Sequence, residues 1–244
     1  MSNKSNPKDN LLSPLTSSIG ETLQDAWDLV FGGFSVYVEK KRIIRQKDLM
    51  EFKESLMQNI AAIPENRLCE PSLSTIGPAL EASKYYFEAP KIREMFSKLI
   101  ASSMDCNLVD EVHPSFTEII KQMSPLDAQN LVLFESWLPV AEYRAIDDNG
   151  HYTVLLRNAF LANTAMQNIT RQSLSISSLE RLGLIGTSYD QYLAQDNLYT
   201  DFEKIKSYEE IKQQANALNK ELEIHHGLAW ITPLGKQFRK ICLD

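Results

Sequence analysis

Apolar positions recur at helical spacing through the first half of the chain and alternate at strand spacing only in the second. Leu23, Ala26, Trp27, Val30, Phe34, Tyr37 and Val38 stand three or four residues apart, the repeat that gathers side chains on one face of a helix. Ser18 and Glu21 have capping-box spacing at its start, which would satisfy orphan N–H groups of a first turn. Gly32 and Gly33 interrupt the face, and the pattern resumes through Ile44, Leu49, Phe52, Leu56 and Ile60 before Pro64. One long helix, or two in line, is predicted over about 18–62. Leu73, Ile76, Leu80, Tyr85 and Phe87 predict another, with Pro78 early in it or kinking it. Ile92, Met95, Phe96, Leu99 and Ile100 form an amphipathic stripe behind Pro90, which suits a first turn. Pro114 opens a short helix with Phe116, Ile119 and Ile120. Ser124-Pro125-Leu126-Asp127 reads as N-cap to N3 of a helix running to about Trp137.

The texture then changes. Val140–Ile146 and Tyr152–Arg157 alternate like strands around DDNG, a hairpin turn sequence. Such a hairpin either joins the C-terminal region or bridges the two halves. Ser173 or Ser175 caps a helix holding Ile176, Leu179 and Leu182, and Gly183 ends it in a left-handed conformation. Leu184–Ser188 reads as a strand and Ile224–Ile231 as its partner. Thr232-Pro233 caps a last helix with Leu234, Phe238 and Ile241 inward. The expected fold is therefore mainly α: a disordered tail over 1–17, a helical bundle over 18–138, then a β-hairpin and a C-terminal winged-helix-like α+β unit over 139–244, with an insert at about 189–222. The order helix, LERLGLI, strand, wing, strand, ITPLGKQF, helix resembles the MarR-type transcription regulators.

Charge weakens the DNA reading that this resemblance would bring. The chain has 25 Lys+Arg against 32 Asp+Glu, a net charge of -7, which does not suit a polyanion binder without a local basic patch. Residues 150–244 carry equal numbers of basic and acidic side chains, and the insert YDQYLAQDNLYTDFEKIKSYEEIKQQ is acidic where a basic wing tip would be needed. The candidate DNA contacts are Arg171, Ser175 and Arg181, too few for base readout with phosphate contacts. A second basic feature is KKRIIRQK, where Lys40, Lys41, Arg42 and Arg45 follow the aromatic positions Trp27, Phe31, Phe34 and Tyr37. That pattern fits contact with an anionic membrane surface and equally a core helix emerging into solvent, with Asp48, Glu51 and Glu54 neutralising the patch. The longest apolar stretch, Ala26–Val38, contains Asp28 and falls short of the about 20 residues a spanning helix needs. MSNKSNPKDN lacks an apolar signal region. Cys69, Cys106 and Cys242 form no CxxC, which suits a reducing cytoplasm rather than a disulfide scaffold or zinc knuckle. His113 lies among Asp110 and Glu111 without a second spaced histidine, and more simply braces the turn before its helix. His225 and His226 are adjacent and would point to opposite faces of a strand. No P-loop, GxGxxG or GxSxG occurs, so no catalytic residue, metal or cofactor is assigned.

Several phrases belong together: GETLQDAWDLVFGGF, YVEKKR, EPSLSTIGPALEASKYYF, REMFSKLIASSMD, VHPSFTEIIKQMSPLDA, and SLERLGLI with ITPLGKQF. In this order they resemble the abortive-infection alpha family of bacteria, from about Gly20 to the end of the chain. The resemblance implies a cytoplasmic antiphage role in which infection is aborted before progeny are released, and supplies no catalytic residue. The leading expectation is a non-enzymatic defence protein acting through contacts with a phage or host protein. Tyr85, Tyr86, Asp105 and His113 are its candidate partner surface, within GPALEASKYY and SMDCNLVDEVHPSF. Unpaired apolar faces on the first helix also allow self-association as a homodimer. DNA regulation and membrane association are the alternatives.

Overall fold

The structure, a computed structural model, describes residues 19–32 and 39–244, with side chains from 21 to 32 and from 47 onward except that of Asp196. The tail expected over 1–17, the Ser18 cap, and Phe34, Tyr37 and Val38 lie outside the described residues. By chain contacts the protein divides into one unit of residues 1–122 with 240–244 and a second of residues 123–239.

The first unit is helical: α1 (Ile19–Phe31), α2 (Glu39–Ala61), α3 (Leu73–Ser83), α4 (Pro90–Ser102) and α5 (Phe116–Gln122). All five positions of the α4 stripe are buried, and Pro90 occupies the first turn. Trp27 and Phe31 pack with centroids 4.4 Å apart, and Phe52 meets Phe87 at 5.3 Å. These rings, worth about 3–5 kcal/mol each against alanine in a core, form a cluster that joins α1, α2 and the turn before α4. Of the four aromatic positions that suggested a membrane surface, Trp27 and Phe31 are both buried, and Phe34 and Tyr37 lie outside the described residues. Arg93 of α4 reaches Glu51 at 2.5 Å and Asp48 at 3.7 Å, so these acids tie α4 to α2. Glu51 additionally pairs with Lys47 at 3.6 Å.

The second unit begins with α6 (Pro125–Leu131). Its capping box forms as expected, Ser124 accepting from the Asp127 N–H and Asp127 accepting from the Ser124 N–H. The helix stops at Leu131, short of Trp137, as Leu133 N–H turns back to the Asn130 carbonyl at 3.0 Å. Strands β1 (Leu138–Ile146), β2 (Tyr152–Ala159), β3 (Ile185–Ser188) and β4 (Glu221–Ile231) make one antiparallel sheet in the order β2-β1-β4-β3. Every residue of β1 has a partner in β4, from Leu138↔Ala229 to Ile146↔Glu221. The hairpin therefore joins the C-terminal sheet, with β1 central and β2 at its edge. Helix α7 (Ile169–Arg181) is capped by Asn168, whose side chain accepts from the Arg171 N–H. Ser173 and Ser175, expected at that cap, lie inside the helix and are buried. The 189–222 insert folds back on the sheet through short 3₁₀ turns and α8 (Tyr208–Ala217). Tyr199, Phe202, Ile211 and Ala215 are buried there, and the Tyr143 hydroxyl donates to the Phe202 carbonyl at 2.6 Å. It is a part of the core and not a projecting wing tip.

SLERLGLI and ITPLGKQF meet. Gly183 has φ 73° and closes α7 with paired bonds, Gly183 N–H to Glu180 O at 2.9 Å and Leu184 N–H to Leu179 O at 3.0 Å. Thr232 then joins both phrases: its N–H donates to Leu184 O at 3.0 Å and its hydroxyl to Gly183 O at 2.6 Å, while that oxygen accepts from Gly235 N–H at 3.0 Å to start α9 (Pro233–Cys242). A Cβ on Gly235 would stand 1.9 Å from the Leu184 carbonyl oxygen. The two phrases are a joint in the scaffold.

Candidate functional site

In the first unit the loop after α4 is built around Asp105. Leu68 and Asp105 oppose each other in an isolated antiparallel bridge. Arg67 grips the Asp105 carboxylate with two bonds, Nε to Oδ1 at 3.0 Å and Nη2 to Oδ2, and the Asn107 N–H adds a third at 2.9 Å. Such a forked, charge-assisted pair fixes geometry as well as energy. Asp105 is 4% exposed, so it is a staple of the loop and leaves the predicted partner surface. Beside it opens a cleft of about 210 Å³, walled by Asn59, Ile63, Arg67, Lys98, Leu108 and Lys240 among others. Lys98 donates to the Leu243 carbonyl at 2.6 Å and pairs with Glu94 at 3.2 Å; Lys240 pairs with Glu111 at 2.7 Å. Each of these cations is paired with a carboxylate, and Asp105 and Asp244 line the cleft as well. Sequence spacing gives no hint of this cleft, because its cations come from segments brought together only by folding.

The other predicted partner residues separate. Tyr85, just past α3, is 78% exposed. Tyr86 is half-buried, its ring tilted against Phe96 at 5.7 Å, with its hydroxyl donating to the Lys121 carbonyl at 2.7 Å. His113 is exposed; its Nδ1 accepts from the Ser115 N–H at 3.1 Å and lies 2.7 Å from the Ser115 hydroxyl, the geometry of a turn brace. The outer face of α3 presents Leu73, Ser74, Pro78 and Glu81, all exposed, leading to Tyr85. A Cβ on Gly77 would meet nothing within 4 Å. This face is accessible and partly apolar, with Leu73 58% exposed.

In the second unit, Arg171 and Arg181 are exposed on α7 with Leu174 between them. Ser175 is 3% exposed and accepts from Asn130 Nδ2 at 3.0 Å, so it is removed from the set of DNA contacts: no base edge can reach it. The inner side of α7 carries a closed amide network. Asn130 Nδ2 donates to Gln172 Oε1 at 2.9 Å, Asn163 Nδ2 to Asn130 Oδ1 at 2.7 Å, and Gln172 Nε2 to the Met166 carbonyl at 3.0 Å. On the sheet, buried Glu142 pairs with Arg144 at 2.7 Å and lies 3.1 Å from Arg157, the latter without hydrogen-bond geometry at that buried oxygen. Asn158, at φ 55°, bonds the Tyr189 hydroxyl at 2.8 Å, and burial pushes the Tyr189 phenol up. His225 lies 3.0 Å from the Tyr189 carbonyl, while His226 stacks on Tyr199 at 4.0 Å. Among the described residues no group of three or more His, Cys, Asp or Glu side chains could hold a metal ion.

The basic run Lys40, Lys41, Arg42 and Arg45 lies on the backbone of α2, with side chains outside the described residues. Among the described residues no helix is long and apolar enough to cross a membrane. The family model for abortive infection alpha matches residues 44–242. No curated protein and no solved structure matches the chain.

Proposed function

Since the chain belongs to the abortive infection alpha family, we propose that it serves phage defence by binding a protein through the outer face of α3, without catalysing a reaction. Membership implies a role in abortive infection; the mode of action is our reading. The observation that carries it is the exposure of two large side chains, Leu73 at the start of α3 and Tyr85 just past its end. Exposed aromatics of this kind are the usual anchors of protein interfaces. The order α7, β3, β4, α9 supports a winged-helix scaffold. With Ser175 and the amide network turned inward, that scaffold is read as a packing element rather than a DNA reader. Three free cysteines fit action in a reducing cytoplasm.

The test is plaquing and host survival at low and high phage input, with wild type, Tyr85→Ala and the Leu73→Ala/Tyr85→Ala double variant. The wild type should reduce plaquing and kill infected cells at high input. Loss of one anchor costs about 2 kcal/mol of binding, roughly 30-fold in affinity, so the double variant should lose protection at unchanged protein level and circular dichroism. Full protection by the double variant would sink the α3 surface. Unchanged plaquing by the wild type across a broad phage panel would sink the defence role itself.

A further inference from the structure

Two of the three cysteines, far apart in sequence, meet at the bridge that Asp105 staples. The bridge is held by Cys69 N–H to Met104 O at 2.9 Å and by Cys106 N–H to Arg67 O at 2.8 Å, around the opposed pair Leu68 and Asp105. Leu68 has extended backbone, φ −65° and ψ 129°. Cys69 and Cys106 are the residues that directly follow the bridged pair on its two segments. The Cys106 thiol is near enough to that of Cys69 to help raise it. Cys106 is exposed, Cys69 is half-buried, and Cys242 is buried elsewhere in the same unit. The Arg67–Asp105 clamp holds both backbones at a fixed separation, which turns two isolated thiols into a pre-organised pair.

We propose that Cys69 and Cys106 form a dithiol oxidation site that hydrogen peroxide converts to an intramolecular disulfide. Cys106, the accessible member, reacts first as its thiolate. Its sulfur attacks one peroxide oxygen, the O–O bond breaks, and the departing hydroxide takes up a proton to leave as water. The product is a sulfenic acid on Cys106. The Cys69 sulfur then attacks the Cys106 sulfur; the S–S bond forms, the S–O bond breaks, and hydroxide leaves with the Cys69 proton as a second water. Two thiols are oxidised by two electrons in total and one peroxide is reduced to two waters. Burial and the hydrogen bond to Cys106, with the Asp105 and Asp110 charges, push the Cys69 thiol up to about 12. It therefore stays protonated at neutral pH, which leaves the first attack on peroxide to Cys106, and it gives up its proton to the departing hydroxide only as it attacks the sulfenic acid. The disulfide would pin the loop after α4, one wall of the cleft beside Asp105, to the segment before α3. Thiol reductants reverse it.

Full-length reduced protein treated with hydrogen peroxide, then alkylated and peptide-mapped by mass spectrometry, tests this. Wild type should lose two of its three free thiols, keep Cys242, yield a cross-linked peptide pair containing Cys69 and Cys106, and recover both thiols with dithiothreitol. Cys69→Ser should give no cross-link and a Cys106 sulfenic acid trapped by dimedone. Three surviving thiols at a peroxide dose that oxidises free cysteine would overturn the proposal. So would Cys106 linked chiefly to a second copy, or a Cys69→Ser protein with no trapped sulfenic acid.

Discussion

The helical unit and the sheet-bearing unit use buried polar side chains in opposite ways. In the first, the core is a set of interdigitated apolar rings and aliphatic chains, and, apart from the Arg67–Asp105 staple and Ser97 with its α2 partners, buried hydroxyls mostly fold back on their own helix. Ser83 donates to Leu80 O at 2.7 Å and Ser103 to Ile100 O at 2.6 Å. In the second, buried amides reach across the fold: Asn130, Asn163, Gln172 and Ser175 link α6, the loop before α7, and α7 itself. Gly235 likewise admits the Leu184 carbonyl into a space that a side chain would fill. Apolar packing is non-directional and tolerates small shifts, whereas amide networks and close backbone approaches admit one arrangement. The first unit should therefore yield gradually to substitution and the second abruptly.

The largest break should come at Gly235→Ala. The new Cβ would meet a backbone carbonyl oxygen at 1.9 Å, and no rotamer change relieves a clash with main chain. β3 or the start of α9 must move, with loss of the Thr232 bonds. The expected cost is about 4 kcal/mol or more, in the exceptional class for a single substitution. Hydrogen exchange should show protection lost across residues 123–239 while α4 of the first unit keeps its protection. Native-like urea unfolding of this variant would refute the joint.

Asn130→Ala is the next test, with Ser97→Ala as its counterpart in the helical unit. Removing the Asn130 amide leaves Gln172, Ser175 and Asn163 each short of a partner at a buried position. A buried group left unsatisfied costs about 1–3 kcal/mol, so the total should be about 3 kcal/mol. Ser97 accepts from Ser55 at 3.1 Å and Asn59 at 2.7 Å. Those donors are only part-buried, so water can replace the hydroxyl and the cost should be about 1 kcal/mol. Equal losses in chemical denaturation would dissolve the contrast between the units.

What was legible in the sequence was what spacing alone determines. Ser124 with Asp127, Pro90, Gly183 and Thr232 each act within a few residues of themselves, and each does what its position predicts. The α4 stripe was legible for the same reason. What spacing does not contain is which distant segments meet. Asp105 reads as a surface residue because its neighbours are polar, and only Arg67, packed against it by the bridge, makes it a buried staple. Ser175 reads as a solvent-facing serine until Asn130 is placed behind it. The cysteines read as three isolated thiols until the bridge pairs two of them. Trp27 and Phe31 followed by lysines read as a membrane face until Phe52 and Phe87 cover them. In each case a long-range partner reverses a locally sound inference.

The smallest expected effect sits at the DDNG turn and tests whether directional bonds matter even at the surface of the sheet unit. Burial raises the Asp147 carboxyl somewhat, but the backbone N–H groups of His151 and Asn149, then Lys220 and His151, outweigh it and hold the group below its ordinary value of 3.8. The two amides lie at 3.0 Å and Lys220 at 3.5 Å. A carboxylate lowered in the folded state contributes stability that is fully present above 3.8 and is lost as pH falls through the lowered value. Asp147→Asn removes that titration while keeping an oxygen that can accept from the amides. Between about pH 5 and about pH 2, wild type should therefore lose more stability than the variant, read as urea midpoints and as exchange rates of the β1–β2 amides. Other carboxylates titrate in both proteins and cancel in the difference. Parallel pH profiles would mean that solvent serves Asp147 as well as its turn does, and that the directional bonding of this unit stops at its buried layer.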